Sequence, residues 1–289
     1  MQRRTFLKYS TAATIAPAVL SQSAPVRAAG NSKLHKALQI GIFPGGLSDV
    51  EKFALARECG FEGIEGSPIA DLGAARELGK KARDAGTPIH SIVRGGWDAP
   101  LSHPDPNVIE KGLAGMRTAL KSAKAQGANA VLLVPAIVTE TVGYGDAYKR
   151  SQDNIRKLLP LAEDLDIIIA VENVWNKFLL SPLEFARYVD EFESPYVKAY
   201  FDIGNVIIYG YSQDWIRTLG KRIVKIHLKD FKRKGYQWTN LLDGDVNWPQ
   251  VRRALDEIGY NGFLTPELGR KDEAGIKDLS KRVDKIFAM

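Results

Sequence analysis

The feature that most constrains this chain is a junction that recurs along it: a helix closes on glycine and a short apolar strand begins at once. Glu58-Cys59-Gly60 runs into Phe61-Glu62-Gly63-Ile64-Glu65, and Asp84-Ala85-Gly86 into Pro88-Ile89-His90-Ser91-Ile92-Val93. Gln126-Gly127 leads to Ala130-Val131-Leu132-Leu133-Val134, and Ile258-Gly259 to Gly262-Phe263-Leu264. Glycine ends a helix by taking the left-handed conformation, so each phrase marks a helix-to-strand boundary. The count predicts eight strands, near 37–43, 61–66, 88–94, 129–135, 167–173, 198–203, 223–229 and 262–267. Helices lie between them, with the 3.6-residue spacing seen in Val108, Leu113, Met116, Leu120 and Ala123. Ser48, Ser181-Pro182 and Asn247 stand where helices should start. Eight alternating units predict an α/β fold, a closed parallel (β/α)8 TIM barrel forming one domain over residues 37–289. An open doubly wound sheet is the alternative, but Phe43-Pro44-Gly45-Gly46 lacks the GxGxxG spacing after the first strand. The long connections 94–106, 136–146, 173–181 and 230–247 all follow strands, so they gather at one mouth of the barrel.

That mouth is where polar residues appear. Ile167 to Val171 reads as a buried strand, yet it ends in Glu172-Asn173-Val174-Trp175. An unpaired buried carboxylate is costly, so something at the tip must use its charge. Tyr200-Phe201-Asp202, Lys225-Ile226-His227 and Thr265-Pro266-Glu267 repeat the pattern. Side chains alternate across a strand, so apolar Val224, Ile226 and Leu228 should face the helices while Lys225, His227 and Lys229 face the interior. The same parity sends Phe201, Ile203, Pro266 and Leu268 outward and puts Ile168 and Ala170 below Glu172. Glu172, Asp202, His227 and Glu267 then converge on consecutive strands five to eight. Three crowded carboxylates resist ionisation unless a cation shares the space. With one imidazole they suit one divalent ion: Mn²⁺ is the first expectation, with Mg²⁺, Co²⁺ and Zn²⁺ as alternatives. Taken singly, each is as readily a salt-bridge partner or a core histidine; the group of four makes the metal site.

Charge decides little about partners. The chain carries a formal +6, but Arg3, Arg4, Lys8 and Arg27 stand in the first 28 residues with no acidic neighbour. Of 40 basic residues, 36 then face 34 acidic ones, a net +2 that calls for no nucleic acid or other polyanion. Arg3-Arg4-Thr5-Phe6-Leu7-Lys8, the apolar Thr11–Leu20 and Val26-Arg27-Ala28 read as a twin-arginine signal peptide over 1–29, cleaved near Ala28 or Ala29 and followed by a linker over 30–36. The expectations are export to the periplasm or beyond, contact with the twin-arginine translocase, and no stable membrane span. Cys59 is the only cysteine, so no intramolecular disulfide forms and it reads as a small core residue of a helix.

The motifs Val171-Glu172-Asn173, Phe201-Asp202-Ile203-Gly204-Asn205, Ile226-His227-Leu228-Lys229-Asp230, Gly244-Asp245-Val246-Asn247-Trp248 and Pro266-Glu267 resemble the xylose-isomerase-like barrel superfamily, in its sugar phosphate isomerase/epimerase and ketose 3-epimerase branch. The resemblance implies that Glu172, Asp202, His227 and Glu267 bind metal and that Glu172 and Glu267 are also catalytic, moving protons on opposite faces of a substrate. The superfamily hosts several reactions, so fold is implied more firmly than chemistry. Two departures stand out. Asn205 occupies the position where these epimerases place a substrate-binding His, and no sugar-holding Arg is evident. Lys229 takes that part here, or else pairs with Glu65 or another mouth carboxylate. Glu65, inward by parity with Gly63, binds substrate or orients Lys229. Trp97, Trp175 and Asn176 wall the pocket, with core packing as the equal alternative. His90 has no assignable face. The run Lys229, Lys232, Arg233, Lys234 reads as a solvated loop rather than a phosphate site.

The expected function is a divalent-metal-dependent sugar isomerase or epimerase that abstracts a proton beside a carbonyl and passes through an enediolate. Its substrate is a small carbohydrate, unphosphorylated because phosphorylated sugars are mainly cytoplasmic. The alternatives are an exported 3-keto-glycoside lyase or hydratase on the same metal site and a non-catalytic periplasmic sugar-binding protein. A DNA-repair endonuclease would need several His ligands, and the chain has four His in all. An oligomer is compatible with the sequence.

Overall fold

The parallel strands close on themselves, which fixes everything else about the site. A computed structural model describes residues 33–289; the signal peptide expected over 1–29 and residues 30–32 of the expected linker lie outside the described residues. In chain order the elements are β1 Leu34–Gln39, α1 Asp49–Glu58, β2 Gly63–Gly66, α2 Leu72–Asp84, β3 Ile89–Gly95, α3 Pro106–Gln126, β4 Ala130–Leu133, α4 Tyr144–Arg156 and α5 Leu159–Leu165. Then come β5 Ile168–Glu172, α6 Pro182–Asp190, β6 Val197–Asp202, α7 Ser212–Leu219, β7 Ile223–Leu228, β8 Asp230–Lys232, β9 Gln237–Thr239, α8 Trp248–Ile258, β10 Gly262–Pro266 and α9 Glu273–Phe287. The barrel order is β1-β10-β7-β6-β5-β4-β3-β2, with every pairing parallel. This is the single-domain (β/α)8 barrel.

The local signals act as the residues suggest. Gly127 (φ 87°) closes α3 and Gly259 (φ 65°) closes α8. Ser48 forms a reciprocal cap with Glu51 at the start of α1, Ser181 caps α6 ahead of Pro182, and Asn247 caps α8. Cys59 sits at the C-cap of α1, half-buried, rather than in the body of the helix.

Three details depart from the sequence reading. The first strand begins at Leu34, so residues 34–36 belong to the barrel rather than to a linker, and Ile40–Ile42 is a 3₁₀ turn. His35 and Lys36 look like linker residues but are partnered: His35 Nδ1 meets Glu62 Oε2 at 2.7 Å, and Lys36 Nζ donates to Ser280 Oγ at 2.7 Å. Second, the pairing of β6 with β7 slips between Ala199 and Tyr200, so Val224 packs with the interior cluster and not on the helices. Third, a slip between β2 and β3 pairs Ile64 with Ile89 but Glu65 with Ser91. Both His90 and Ser91 consequently reach the interior, where His90 stacks on Phe263 and meets Thr265 Oγ1 at 3.2 Å. No alternating parity could have placed His90.

The connection after β7 carries the small hairpin β8–β9, which the sequence did not announce. Asp230 is its organiser. Fully buried, it accepts hydrogen bonds from Phe231 N, Leu242 N, Val246 N and Trp248 Nε1 at 2.9 to 3.2 Å. Gly244 packs so closely on that carboxylate that any side chain would collide with it. The hairpin brings Phe231, Tyr236 and Trp238 against Trp175.

Candidate metal centre

Strand tips build the site. Glu172 ends β5, Asp202 ends β6, His227 lies one residue from the end of β7, and Glu267 follows β10. Each offers one ligand atom, and the four atoms lie within 4.8 Å of one another. Their neighbours at odd parity, Phe201, Ile203, Ile226 and Leu228, pack outward into the main core.

His227 stands at the centre and uses both ring nitrogens. Nδ1 lies 2.7 Å from Glu172 Oε1 and 3.0 Å from Glu267 Oε2, while Nε2 lies 2.9 Å from Glu65 Oε2. Burial opposes a charge on this ring, but Glu65, Tyr200, Glu267 and Glu172 outweigh it and hold the imidazole pKa well above its ordinary value. Burial pushes the Glu172 carboxyl up to about 7 against the pull of His227. It also raises Asp202, despite Lys229. Glu267 goes the other way: His227 and Lys229 overcome its burial and hold it well below the usual carboxylate range.

Lys229 bridges the cluster, with Nζ 3.2 Å from Asp202 Oδ2 and 2.5 Å from Glu267 Oε2. Glu267 Oε2 is thus held by two ion pairs, from Lys229 and from His227, whereas buried Asp202 Oδ2 has only the 3.2 Å contact with the ammonium. Three carboxylates crowded around one imidazole nitrogen, with a single ammonium to offset them, are what a cation site requires. With the His227 ring neutral and all four carboxylates ionised, as ligation would require, Glu65, Glu172, Asp202 and Glu267 face the ammoniums of Lys229 and of Lys225, whose burial brings it down only to about 8. A divalent cation would cancel the two negative charges left over. The donor set of three carboxylates and one imidazole fits such an ion.

The remaining residues singled out by sequence fall into two groups. Lys229 and the exposed indoles of Trp97 (51% exposed) and Trp175 (37%) line open cavities at the mouth. One, of about 400 Å³, is lined by Gln39, Lys229, Trp238, Glu267, Leu268 and Gly269. Asn176 lines the cavity of Trp97 and Trp175 as well, while Glu65 and Asn205 are buried and occupied. Glu65 accepts from Tyr200 Oη and from Ser91 Oγ (3.0 Å) and faces His227, so its carboxylate is engaged by these three rather than by Lys229. Asn205 donates from its backbone N to Asp202 Oδ1 and from its amide to Asn173 O, fixing the ligand strand tips. Asn176 braces its loop through Ala136 O and Phe178 N. Polarity suggests substrate contact for Glu65 and Asn205; burial turns Glu65 to the side chains of Tyr200, Ser91 and His227, and Asn205 to the backbone.

Sequence reasoning missed Tyr200, Ser91 and Trp238. Tyr200 was within reach, because it shares the inward face of β6 with Asp202. Ser91 depended on the slip in β3, and Trp238 on the hairpin.

Comparison with known proteins agrees with this fold. Residues 53–286 match the model of the xylose isomerase-like TIM barrel family. An L-ribulose-5-phosphate 3-epimerase of Escherichia coli O1:K1 is 23% identical over 245 residues, 79% of this chain and 86% of the relative. Among solved structures, the 3-keto-D-glucoside 4-epimerase of E. coli superposes with a TM-score of 0.75 at 17% identity, covering 89% of this chain and all of the other. The D-allulose 3-epimerase of Methylomonas sp. gives 0.73 at 18%, covering 89% and 97%. The chain belongs to the xylose isomerase-like TIM barrel family.

Proposed function

We propose that the chain is a divalent-metal-dependent sugar epimerase or isomerase that moves a proton on a carbon beside a carbonyl, with Mn²⁺ as the first candidate ion. The observation that carries this reading is the meeting of Glu172, Asp202, His227 and Glu267 at the barrel mouth, beside a cavity walled by Lys229 and Trp238. Relatives described as epimerases support the reaction class. A divalent ion held by those four residues would stabilise negative charge on a carbonyl oxygen and so acidify the neighbouring C–H.

The protein groups supply the proton transfers. Glu172 and Glu267 come from different strands and flank His227 Nδ1. One takes the carbon-bound proton, and the other returns a proton to the opposite face of the same carbon, which inverts the centre. Returning it to the adjacent carbon gives aldose–ketose isomerisation. Lys229 Nζ, held between Asp202 and Glu267 at the cavity wall, donates to a substrate oxygen. The indole of Trp238 packs on an apolar sugar face.

An unphosphorylated substrate fits the surroundings. Lys229 is the one cation lining the cavity of Glu267, and two carboxylates already engage it. Lys232 and Lys234 are exposed, while Arg233 turns away to donate to Ile207 O and Gly210 O. Export through the twin-arginine signal, part of the same proposal, would place the protein away from phosphorylated sugars; fractionation of cells carrying the full-length chain tests it.

One observation favours elimination from a 3-keto-glycoside as a second reading. A further cavity of about 520 Å³ opens at the same mouth between Trp97 and Trp175, with room for a leaving group. There the proton beside the keto group is taken, a carbon–carbon double bond forms, and the neighbouring C–O bond breaks. The aglycone departs with the electron pair and is protonated.

The test is to incubate metal-loaded protein with ketoses and 3-keto-glycosides in D₂O. Deuterium entering the position beside the carbonyl, abolished in Glu172→Gln and Glu267→Gln, is expected. Release of aglycone would select elimination. No exchange and no release across the panel would overturn the reading.

A further inference from the structure

We infer that Glu65, held by Tyr200 and Ser91, is a positioning residue for the metal centre: it fixes the His227 ring so that Nδ1 is the atom presented to a cation. This rests on the metal reading above and adds to it a residue that lies outside the ligand set.

The geometry is specific. Glu65 belongs to β2 and His227 to β7, and β1 and β10 stand between them in the barrel wall. Their contact therefore crosses the interior. Glu65 is fully buried, and both oxygens are engaged: Oε2 with His227 Nε2 at 2.9 Å, Oε1 with Tyr200 Oη and with Ser91 Oγ at 3.0 Å. The ring of Tyr200 lies against that of His227, centroids 4.5 Å apart, closing the side of the imidazole. The slip between β2 and β3 is what sets Ser91 opposite Glu65.

A neutral imidazole carries one N–H and one lone pair, and the partner of the N–H decides which nitrogen keeps the lone pair. Both nitrogens face carboxylates, but Glu65 lies outside the ligand group and keeps the Nε2 proton, whereas an ion among Glu172, Asp202 and Glu267 would take the place of the Nδ1 proton and meet the lone pair left there. A carboxylate behind a ligating histidine also makes the ring a better electron donor. An apolar pair across the barrel would avoid the cost of burying Glu65, so a charge retained here points to a task other than stability.

The experiment compares the full chain with Glu65→Gln, which keeps size and an acceptor but loses the charge, and Tyr200→Phe, which removes one donor to Glu65. Mn²⁺ and Zn²⁺ affinities are measured by chelator competition, the metal-free melting temperature reports the fold, and ¹⁵N shifts of the Zn²⁺-loaded protein report each nitrogen of His227. We expect affinity to fall roughly 10–100-fold in Glu65→Gln and by less in Tyr200→Phe. The melting temperature should hold, and wild-type shifts should show metal on Nδ1 and hydrogen on Nε2. Affinities within twofold of wild type, a loss of melting temperature alone, or metal on Nε2 would each overturn the inference. Should Glu65→Gln not fold, Tyr200→Phe and the wild-type shifts decide. A wild-type chain that binds no divalent ion would sink the metal reading itself, which separates the two failures.

Discussion

The two faces of β7 make different use of the same strand. Its outward residues Ile226 and Leu228 are fully buried among aliphatic and aromatic neighbours. Each such side chain stabilises the fold by ~1.5–3 kcal/mol through burial alone. Its inward residues Lys225 and His227 are also buried, with half-buried Lys229 just beyond, but among charges. Burying them opposes folding, and only mutual pairing offsets that cost. The outward face holds the barrel closed, and the inward face maintains a charge cluster that, under the proposed function, a cation would complete. Stability and function are thus separated by a single residue step.

That separation can be broken most strongly at the proton carriers. Glu267→Gln should lower turnover about 10²–10⁴-fold in an otherwise folded protein, as rate measurements on any substrate that exchanges deuterium will show. On the outward face, Ile226→Ala should cost about 2–5 kcal/mol in chemical denaturation while leaving metal stoichiometry unchanged. Parallel losses in both faces' mutants would mean that the strand does not divide the two tasks.

A pH series sharpens the comparison. The Glu172 carboxyl, at about 7 when metal-free, lies above its ordinary value of 4.5. The folded metal-free chain then holds a proton that the unfolded chain loses between those values, so this group's contribution to stability declines as pH rises through that window. A cation must displace that proton, so binding strengthens over the same range. The melting-temperature gain from Mn²⁺ should therefore be larger at pH 8 than at pH 5.5. A gain that shrinks with rising pH would contradict the proposed competition. The smallest effect belongs to Asp202→Asn. Burial raises Asp202, and one of its oxygens has no hydrogen-bond partner. Removing its charge should leave the metal-free melting temperature equal or slightly higher while metal affinity falls.

Much of this is legible in the sequence. Alternation and helix-closing glycines specify the barrel, and strand parity brings Glu172, Asp202, His227 and Glu267 to one mouth because those tips run without a slip. Parity failed where pairing slips. It put Val224 outside, gave His90 no face, and offered no reason to pair Ser91 with Glu65. The polar residues Glu65 and Asn205 suggest substrate contacts because their types suit a pocket. Which partner each one meets depends on neighbouring strands and loops, and that is not written in local sequence. Trp238 reaches the cavity only through the hairpin organised by Asp230, whose four hydrogen-bond donors span 18 residues of chain.

The central claim is that the inward strand tips hold one divalent ion. Elemental analysis of folded, Mn²⁺-loaded protein beside Glu172→Gln and His227→Ala tests it directly. The account predicts one ion per chain in the wild type and substoichiometric metal in both variants, each with the wild-type far-ultraviolet circular dichroism. Equal metal content in all three proteins, or none in the wild type, would contradict it.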